Sequence, residues 1–292
     1  MTLKSIKICP GFLRACLLIL IFTSSSNIFA LPEQALVPGG IALLQLPNYT
    51  QDTKVLFDNK RIAVFPYNNS WFAMAGIGLG KKPGDYEFSI RQANGLSLST
   101  RVTVKHKKYK EQHLTIKNKR KVNPNKQDNE RIAKESTRKK KAKKQYTETI
   151  PDVDFIWPVT GRISSIFGLR RFFNEQERRP HSGLDIAADE GTPIKATANG
   201  TVIDAGDFFF SGNMIYIDHG QGIITLYAHL SEISVKPGDS VKQGDIIGKV
   251  GQTGRVTGPH LHFAVIANQT LIDPVYMLPK DGNQTIDTSS EK

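Results

Sequence analysis

Glycine turns recur through residues 156–278, and between them the chain offers only short runs of strand-forming residues. Such runs lie at 200–203, 214–218, 223–227, 240–241, 246–250 and 262–266. Helix signals are nearly absent there, so the spacing predicts a β-rich domain. A similar pattern fills residues 31–104. Alternating runs at 41–46, 54–57, 61–65, 86–92 and 96–104 are separated by Gly39-Gly40, Asp58-Asn59, Asn68-Asn69, Pro83-Gly84-Asp85 and Asn94-Gly95. Strands at this spacing predict a sandwich of immunoglobulin-like type. Trp71 and Phe72 are expected in core or inter-domain packing. The expected fold is mainly β: an N-terminal immunoglobulin-like β-domain at 31–104, a basic linker at 105–150, and a C-terminal antiparallel β-sheet domain at 151–280. The polar tail 281–292 is expected to fray.

The chain has 292 residues and is 39% hydrophobic, enough for two modest domains with extensions. Its formal charge of +12 is unevenly spread. Residues 105–145 hold 17 Lys/Arg against 4 Asp/Glu, a net of +13, which leaves the rest of the chain at −1. The stretch 125–145 lacks Gly and Pro and is densely charged, so it reads as partly helical or disordered and solvated. Attraction to an anionic surface, such as cell-wall carboxylates or phospholipid headgroups, suits this composition. A plain solvated linker suits it equally. Nucleic acid is not expected as a partner, because no aromatic residue interleaves the lysines of 125–145 and the chain begins with an export signal.

That signal occupies residues 1–30. Lys4, Lys7 and Arg14 form a basic start, residues 15–23 are apolar, and a small and polar run ends at Ala30. The apolar core is short for a bilayer span, so a secretory signal peptide is expected, with a retained anchor as the alternative. The expected location is periplasmic or secreted. Both cysteines, Cys9 and Cys16, lie inside this leader. The remaining chain therefore has no disulfide framework and no thiolate metal site.

Three motifs carry the chemistry: His181-Ser182-Gly183-Leu184-Asp185, Tyr227-Ala228-His229-Leu230, and Gly258-Pro259-His260-Leu261-His262. They supply four histidines and one aspartate. A catalytic zinc takes three N or O ligands and keeps a fourth position for water. Two further histidines then remain for proton transfer or charge stabilisation. On a strand, residues two apart share a face, so His260 and His262 point the same way. His181 and Asp185 are four apart in a glycine-containing strand or turn, where the spacing also puts them on one side. Arg170 and Arg171, just ahead, are candidates for pairing with substrate carboxylates or for an ordinary surface role. His219 is expected to be structural, and His106 and His113 solvated.

These motifs, with Phe167-Gly168-Leu169-Arg170, Gly212-Asn213, Asp218-His219-Gly220 and Gly251-Gln252-Thr253-Gly254, resemble the lysostaphin/LytM-type zinc metallopeptidases, which cut peptide bonds in peptidoglycan. The resemblance covers roughly residues 157–274. It implies one zinc ion per chain bound by His181, Asp185 and His262, with His229 and His260 as the non-ligand catalytic pair. It implies His260 as the base and His229 as the oxyanion donor, roles that can be exchanged on sequence alone. It implies a C-terminal metallopeptidase domain acting on peptidoglycan, and a monomer is expected. The segment ahead of it is similar to the β-domain of exported bacterial members. The alternative is a catalytically silent cell-wall-binding regulator of other murein hydrolases. A carrier domain, suggested by Gly244-Asp245-Ile246-Ile247-Gly248, needs a modifiable lysine at a hairpin tip, and Lys249 falls within a strand pattern instead.

Overall fold

The computed structural model describes residues 31–280; the leader, with its two cysteines, and the C-terminal tail lie outside the described residues. The N-terminal region folds as two antiparallel sheets. In one, Ser70–Gly76 lies between Ile41–Leu46 and Ala63–Tyr67. In the other, Lys60–Arg61, Lys54–Phe57, Gly84–Arg91 and Ser97–Val104 follow in that order. The sheets share a core of Ala42, Val55, Phe57, Val64, Ala73, Ala75 and Phe88. The run expected at 61–65 is divided between the two sheets, with the Ile62 N–H still donating to Val55 O at 3.1 Å.

Sequence patterning gave no separate strand at Ser70–Gly76, and the reason is burial on both faces. Alternate residues of this sheet face opposite ways. Ala42, Val64, Ala73 and Ala75 point into the sandwich. Ile41, Ala63, Phe65 and Met74 instead join the core of the C-terminal domain. A strand buried on both sides reads as a continuous apolar run, without alternation. Trp71 and Phe72 divide in the same way, Trp71 against the sandwich core and Phe72 against the shared one.

The C-terminal domain is built on an antiparallel sheet with the order Ser240–Val241, Gly200–Phe208, Gly212–Gly220, Ile223–Leu230, Leu261–Ala267, Leu184–Ala187, Arg162–Ser165, and Thr270–Ile272 also paired to Leu261–Ala267. Odd-numbered residues of Leu261–Ala267 (Leu261, Phe263, Val265, Ala267) face the core shared with the N-terminal domain. Even-numbered Ala264 and Ile266 face the other way, with Tyr216, Leu226 and Ala228. His262 lies on this second face, in register with Asp185 and Ala228.

Residues 105–150 are docked onto the C-terminal domain. Glu111–Leu114 pairs in parallel with Arg170–Phe173. His113, expected to be solvated, stacks on Phe172 with centroids 4.6 Å apart. Helix α1 (Lys119–Val122) precedes helix α2 (Lys126–Lys143). A capping box starts α2: Asn125 accepts from Asp128 N–H, and the Asp128 carboxylate accepts from Asn125 N–H. Lys140, Lys141 and Lys143 in its last turn complement the helix dipole. Its docked face is mostly polar. Arg131 pairs with Asp207 at 2.8 Å, Arg138 with Asp204, and Glu135 accepts the Phe209 N–H at 2.9 Å. Ala142 packs against the sheet with Leu226 and Ala264. A hydrophobic stripe, the usual sign of a docked helix, is therefore missing from the sequence.

The two domains are also joined by buried side-chain caps on backbone groups. Asn268 Oδ1 accepts the Gly76 N–H at 2.6 Å, and Gln221 Oε1 accepts the Val64 N–H at 2.8 Å. Asn268 is buried and sits at φ +44°, a left-handed conformation that Asn tolerates better than Ala. Asn268→Ala leaves a buried N–H without a partner and strains the backbone. The expected loss is about 2 kcal/mol, read as a lower urea midpoint with an unchanged slope.

Candidate metal centre and its surroundings

The structure brings four histidines and one aspartate to the second face of the large sheet. His181 Nε2 lies 3.0 Å from Asp185 Oδ1 and 3.1 Å from His262 Nδ1. His262 Nδ1 lies 2.7 Å from the same Asp185 oxygen. These are the ligand atoms of a compact His-Asp-His group. The edges of a tetrahedron with metal–ligand bonds of 2.0–2.1 Å are about 3.3 Å, close to this triangle.

Proton positions argue for a cation at its centre. His181 Nδ1 is 2.7 Å from Ile166 O, and a carbonyl only accepts, so this nitrogen carries the ring proton. His181 Nε2 is then a lone pair. It faces a carboxylate oxygen that is also an acceptor. At most one hydrogen, on His262 Nδ1, can stand among the three atoms. A metal ion resolves this crowding of acceptors, and the His–carbonyl contact behind His181 is the support that metal-binding imidazoles generally receive. The donor set of two imidazoles and one carboxylate fits zinc with an open fourth position.

Arg171 holds the other side of Asp185. Its guanidinium donates to Asp185 Oδ2 at 2.7 Å, to Ser165 Oγ at 3.0 Å and to Gln112 Oε1 at 3.1 Å. Gln112 belongs to the Glu111–Leu114 strand, so the segment ahead of the domain buttresses a candidate ligand. Burial acts to raise the Asp185 pKa, but His181 and Arg171 outweigh it and hold the carboxyl well below its ordinary range. Burial lowers His181 to about 4, with Arg171 acting in the same direction and Asp185 opposing it. Of the two roles open to Arg170 and Arg171, pairing with substrate carboxylates does not match these contacts. Arg171 is engaged as described, and Arg170 pairs with Glu111 at 2.6 Å and Glu177 at 3.1 Å.

Local backbone features aim the remaining side chains. Gly183 lets the His262 ring pass close by: a Cβ there would meet Phe263 O at 2.3 Å and the imidazole at 2.9 Å. Strand alternation would turn His229 away from Ala228, and so away from His262. A register shift beside Asn213 and a left-handed φ of +69° at His229 rotate it back. Asn213 Nδ2 and Thr253 Oγ1 both donate to Leu230 O at this bulge, at 3.1 and 2.8 Å. The His229 ring centroid lies 4.9 Å from that of His260 and 5.9 Å from that of His262. Tyr227, on the opposite face, is buried with its hydroxyl bonded to Thr197 and Thr225.

The tautomers of these two histidines follow from carbonyl partners. His229 Nδ1 donates to Thr253 O at 2.8 Å and His260 Nδ1 to Gly258 O at 2.9 Å. Each Nε2 is therefore a free lone pair in the neutral ring. Burial, then His260 and His262, push the His229 pKa well below its usual value. His260 Nε2 is 3.8 Å from Asp185 Oδ1. His219, expected to be structural, is buried with its ring nitrogens on Asn199 O and Thr225 Oγ1, both at 2.7 Å.

Ser165, Gln112, the carbonyls of Ile166, Thr253 and Gly258, and the supporting role of Arg171 are what sequence reading missed. The only signal available was the placement of Arg171 ahead of the His181 motif. Arg171→Ala frees one Asp185 oxygen and removes its electrostatic anchor. Metal affinity is expected to fall about 10- to 100-fold in a chelator-competition titration.

His181 is buried in the neutral form, so unfolding allows it to take a proton at its ordinary pKa of 6.5. Its folded pKa is depressed. The associated stability is complete above pH 6.5 and is lost as pH falls toward about 4. Urea unfolding of the metal-free protein should show this as a loss on the order of 3 kcal/mol across that window.

Comparison with known proteins agrees with this geometry. The family model for Peptidase family M23 matches residues 179–274, and that for the Peptidase family M23 N-terminal domain matches residues 34–107. The DD-carboxypeptidase/endopeptidase Mpg of Neisseria meningitidis serogroup B is 46% identical over 114 residues, covering 39% of this chain and 26% of that one. The peptidoglycan DD-endopeptidase ShyA of Vibrio cholerae is 44% identical over 115 residues, with the same two coverages of 39% and 26%. The chain thus matches these curated relatives over about a quarter of their length. A crystal structure from Pseudomonas aeruginosa that carries the peptidase M23 name aligns with a TM-score of 0.70 and 36% identity, covering 86% of this chain and 96% of that one. With both domain types matched in order and the whole arrangement shared with that structure, the chain belongs to peptidase family M23.

Proposed function

We propose that this protein is an exported zinc-dependent endopeptidase that hydrolyses peptide bonds in peptidoglycan, in stem peptides or cross-links. The observation that carries the reading is the triangle of acceptor atoms on His181, Asp185 and His262, faced by two free imidazole lone pairs. Membership in the family and the names of the relatives Mpg and ShyA supply the substrate class. The complete ligand set argues against a silent regulator. A periplasmic or secreted location follows from the substrate and from the leader read in the sequence.

His181 Nε2, Asp185 Oδ1 and His262 Nδ1 would hold the metal. A zinc ion bound there supplies Lewis acidity and brings water toward ionisation near neutral pH. His260 is the group that accepts the water proton through Nε2. Its Nε2 stands 3.8 Å from Asp185 Oδ1, and its greater exposure allows the proton to pass to the leaving amine. His229 has Nε2 as an acceptor in its neutral form, so it orients the attacking water by receiving a hydrogen bond. It becomes an oxyanion donor only if protonated, which its burial resists. The oxyanion role expected for His229 is therefore replaced by water orientation. The outer face of α2 exposes Lys134, Lys140 and Lys141. These suit weak, salt-sensitive attraction to an anionic envelope surface.

Digestion of purified cross-linked peptidoglycan tests the reading, with released muropeptides resolved by chromatography. The full chain should convert dimers to monomers, and a zinc chelator should stop it. His262→Ala should lose both zinc and cleavage. His260→Ala and His229→Ala should keep zinc and lose about 10²- to 10⁴-fold in kcat. Stoichiometric zinc with intact dimers would reject the endopeptidase.

A further inference from the structure

The face of the sheet that carries the candidate ligands has α2 as one wall. Ala142 belongs to the same apolar cluster as Ala264 and Ile266, which continue the His262 side of their strand. On that docked face of the helix lie Glu135, Lys139, Ala142 and Lys143, at helical spacing. The carboxylates nearby are already engaged. Asp128 binds Arg120, Glu135 binds Arg131 and the Phe209 N–H, Asp204 binds Arg138, and Asp207 binds Arg131.

Two lysines are left half-buried without an anionic partner among the described residues. Lys139 Nζ reaches only the neutral Ser211 Oγ at 2.9 Å and stands 5.1 Å from the Phe208 ring centroid. The Lys143 side chain makes no hydrogen bond or ion pair among the described residues. Other cations face them. Burial lowers Lys139 to about 8, with Glu135 opposing it and the charges of Lys143 and Arg255 adding to it. Burial, then Arg179, lowers Lys143. Arg179 is exposed and lies two residues before His181. Lys139 is also tied to the reaction centre, because the His229 N–H donates to the backbone carbonyl of the same Ser211 at 2.9 Å.

Half-buried cations crowded together call for a counter-charge, and Glu135, the carboxylate that acts on Lys139, is already committed to Arg131 and the Phe209 N–H. A bound anion removes both the desolvation and the repulsion. Peptidoglycan stem peptides are rich in carboxylates. We propose that Lys139 and Lys143 of α2 form a subsite for a carboxylate of the stem peptide. This rests on the peptidoglycan reading above and assigns substrate selection to the segment ahead of the metallopeptidase domain.

The test is calorimetric binding to the zinc-loaded full chain of the uncross-linked stem tetrapeptide L-Ala-γ-D-Glu-meso-diaminopimelate-D-Ala. The comparison ligand is the same peptide with its carboxylates amidated. The free-acid form should bind at least about tenfold tighter at low salt. K139Q/K143Q should reduce that preference below about twofold, while K139R/K143R, which keeps the charge and controls for folding, retains it. Equal binding of the two peptides by the unsubstituted chain, or a preference that survives K139Q/K143Q, would overturn the subsite. So would an absence of binding to either peptide. Because binding is read without turnover, equal binding in a chain that cleaves dimers rejects the subsite alone. Selective binding in a chain that leaves dimers intact rejects the endopeptidase alone.

Discussion

A lone pair on His181 Nε2 and an oxygen of Asp185 face each other at 3.0 Å with no proton between them. Such a contact is repulsive unless a cation or strong surrounding charge compensates it. Much of the local structure serves to hold the two groups together. Ile166 O takes the only ring proton of His181, which prevents relief by a change of tautomer. Arg171 holds the far oxygen of Asp185, which prevents the carboxylate from turning away. The register of Leu184–Ala187 against Leu261–Ala267 then sets His262 opposite Asp185. The geometry of this candidate metal group is fixed by residues outside it, as preorganised metal sites require.

This constraint explains why the basic segment is integral to the domain it precedes. Gln112 supports Arg171, and Gln112 is in place because Glu111–Leu114 adds a parallel strand beside Arg170–Phe173. Having crossed that edge, the chain turns through α1 and lays α2 along the sheet. Arg255 lies between Phe173 and Phe210 and donates to Lys121 O, which ties the loop ahead of His260 to the same segment. One continuous stretch therefore supports the Asp185 side of the candidate centre and covers part of the same sheet face with α2.

The motif residues were legible because their chemistry is carried by residue type and short spacing. His-x-His on a strand and His-x-x-x-Asp around a glycine need no knowledge of distant contacts. Most strands were legible from alternation between turns. What escaped depended on partners far along the chain. The Arg171–Asp185 pair and the Gln112 contact leave no local pattern. The Ser70–Gly76 strand lost its alternation by being buried on both faces. Helix α2 docks through Glu135, Lys139 and ion pairs, so its sequence resembles that of a solvated helix. The orientation of His229 depends on a bulge and a left-handed residue, where strict alternation would have pointed it into the opposite core.

The two layers around the large sheet also differ in kind, and that difference bears on function. The layer formed by the N-terminal domain is apolar, with Ile41, Phe65 and Met74 sharing a core with Val265 and Ile272. Its stability comes from burial, which is nondirectional and insensitive to salt. The layer formed by α2 is held by ion pairs and hydrogen bonds over few apolar contacts. Exposed ion pairs contribute little each and weaken with ionic strength. The rigid support therefore lies behind the sheet, while the wall beside the candidate metal centre is its more readily displaced part. A sheet supported in this way keeps His181, Asp185 and His262 fixed while the α2 side is the part that can adjust.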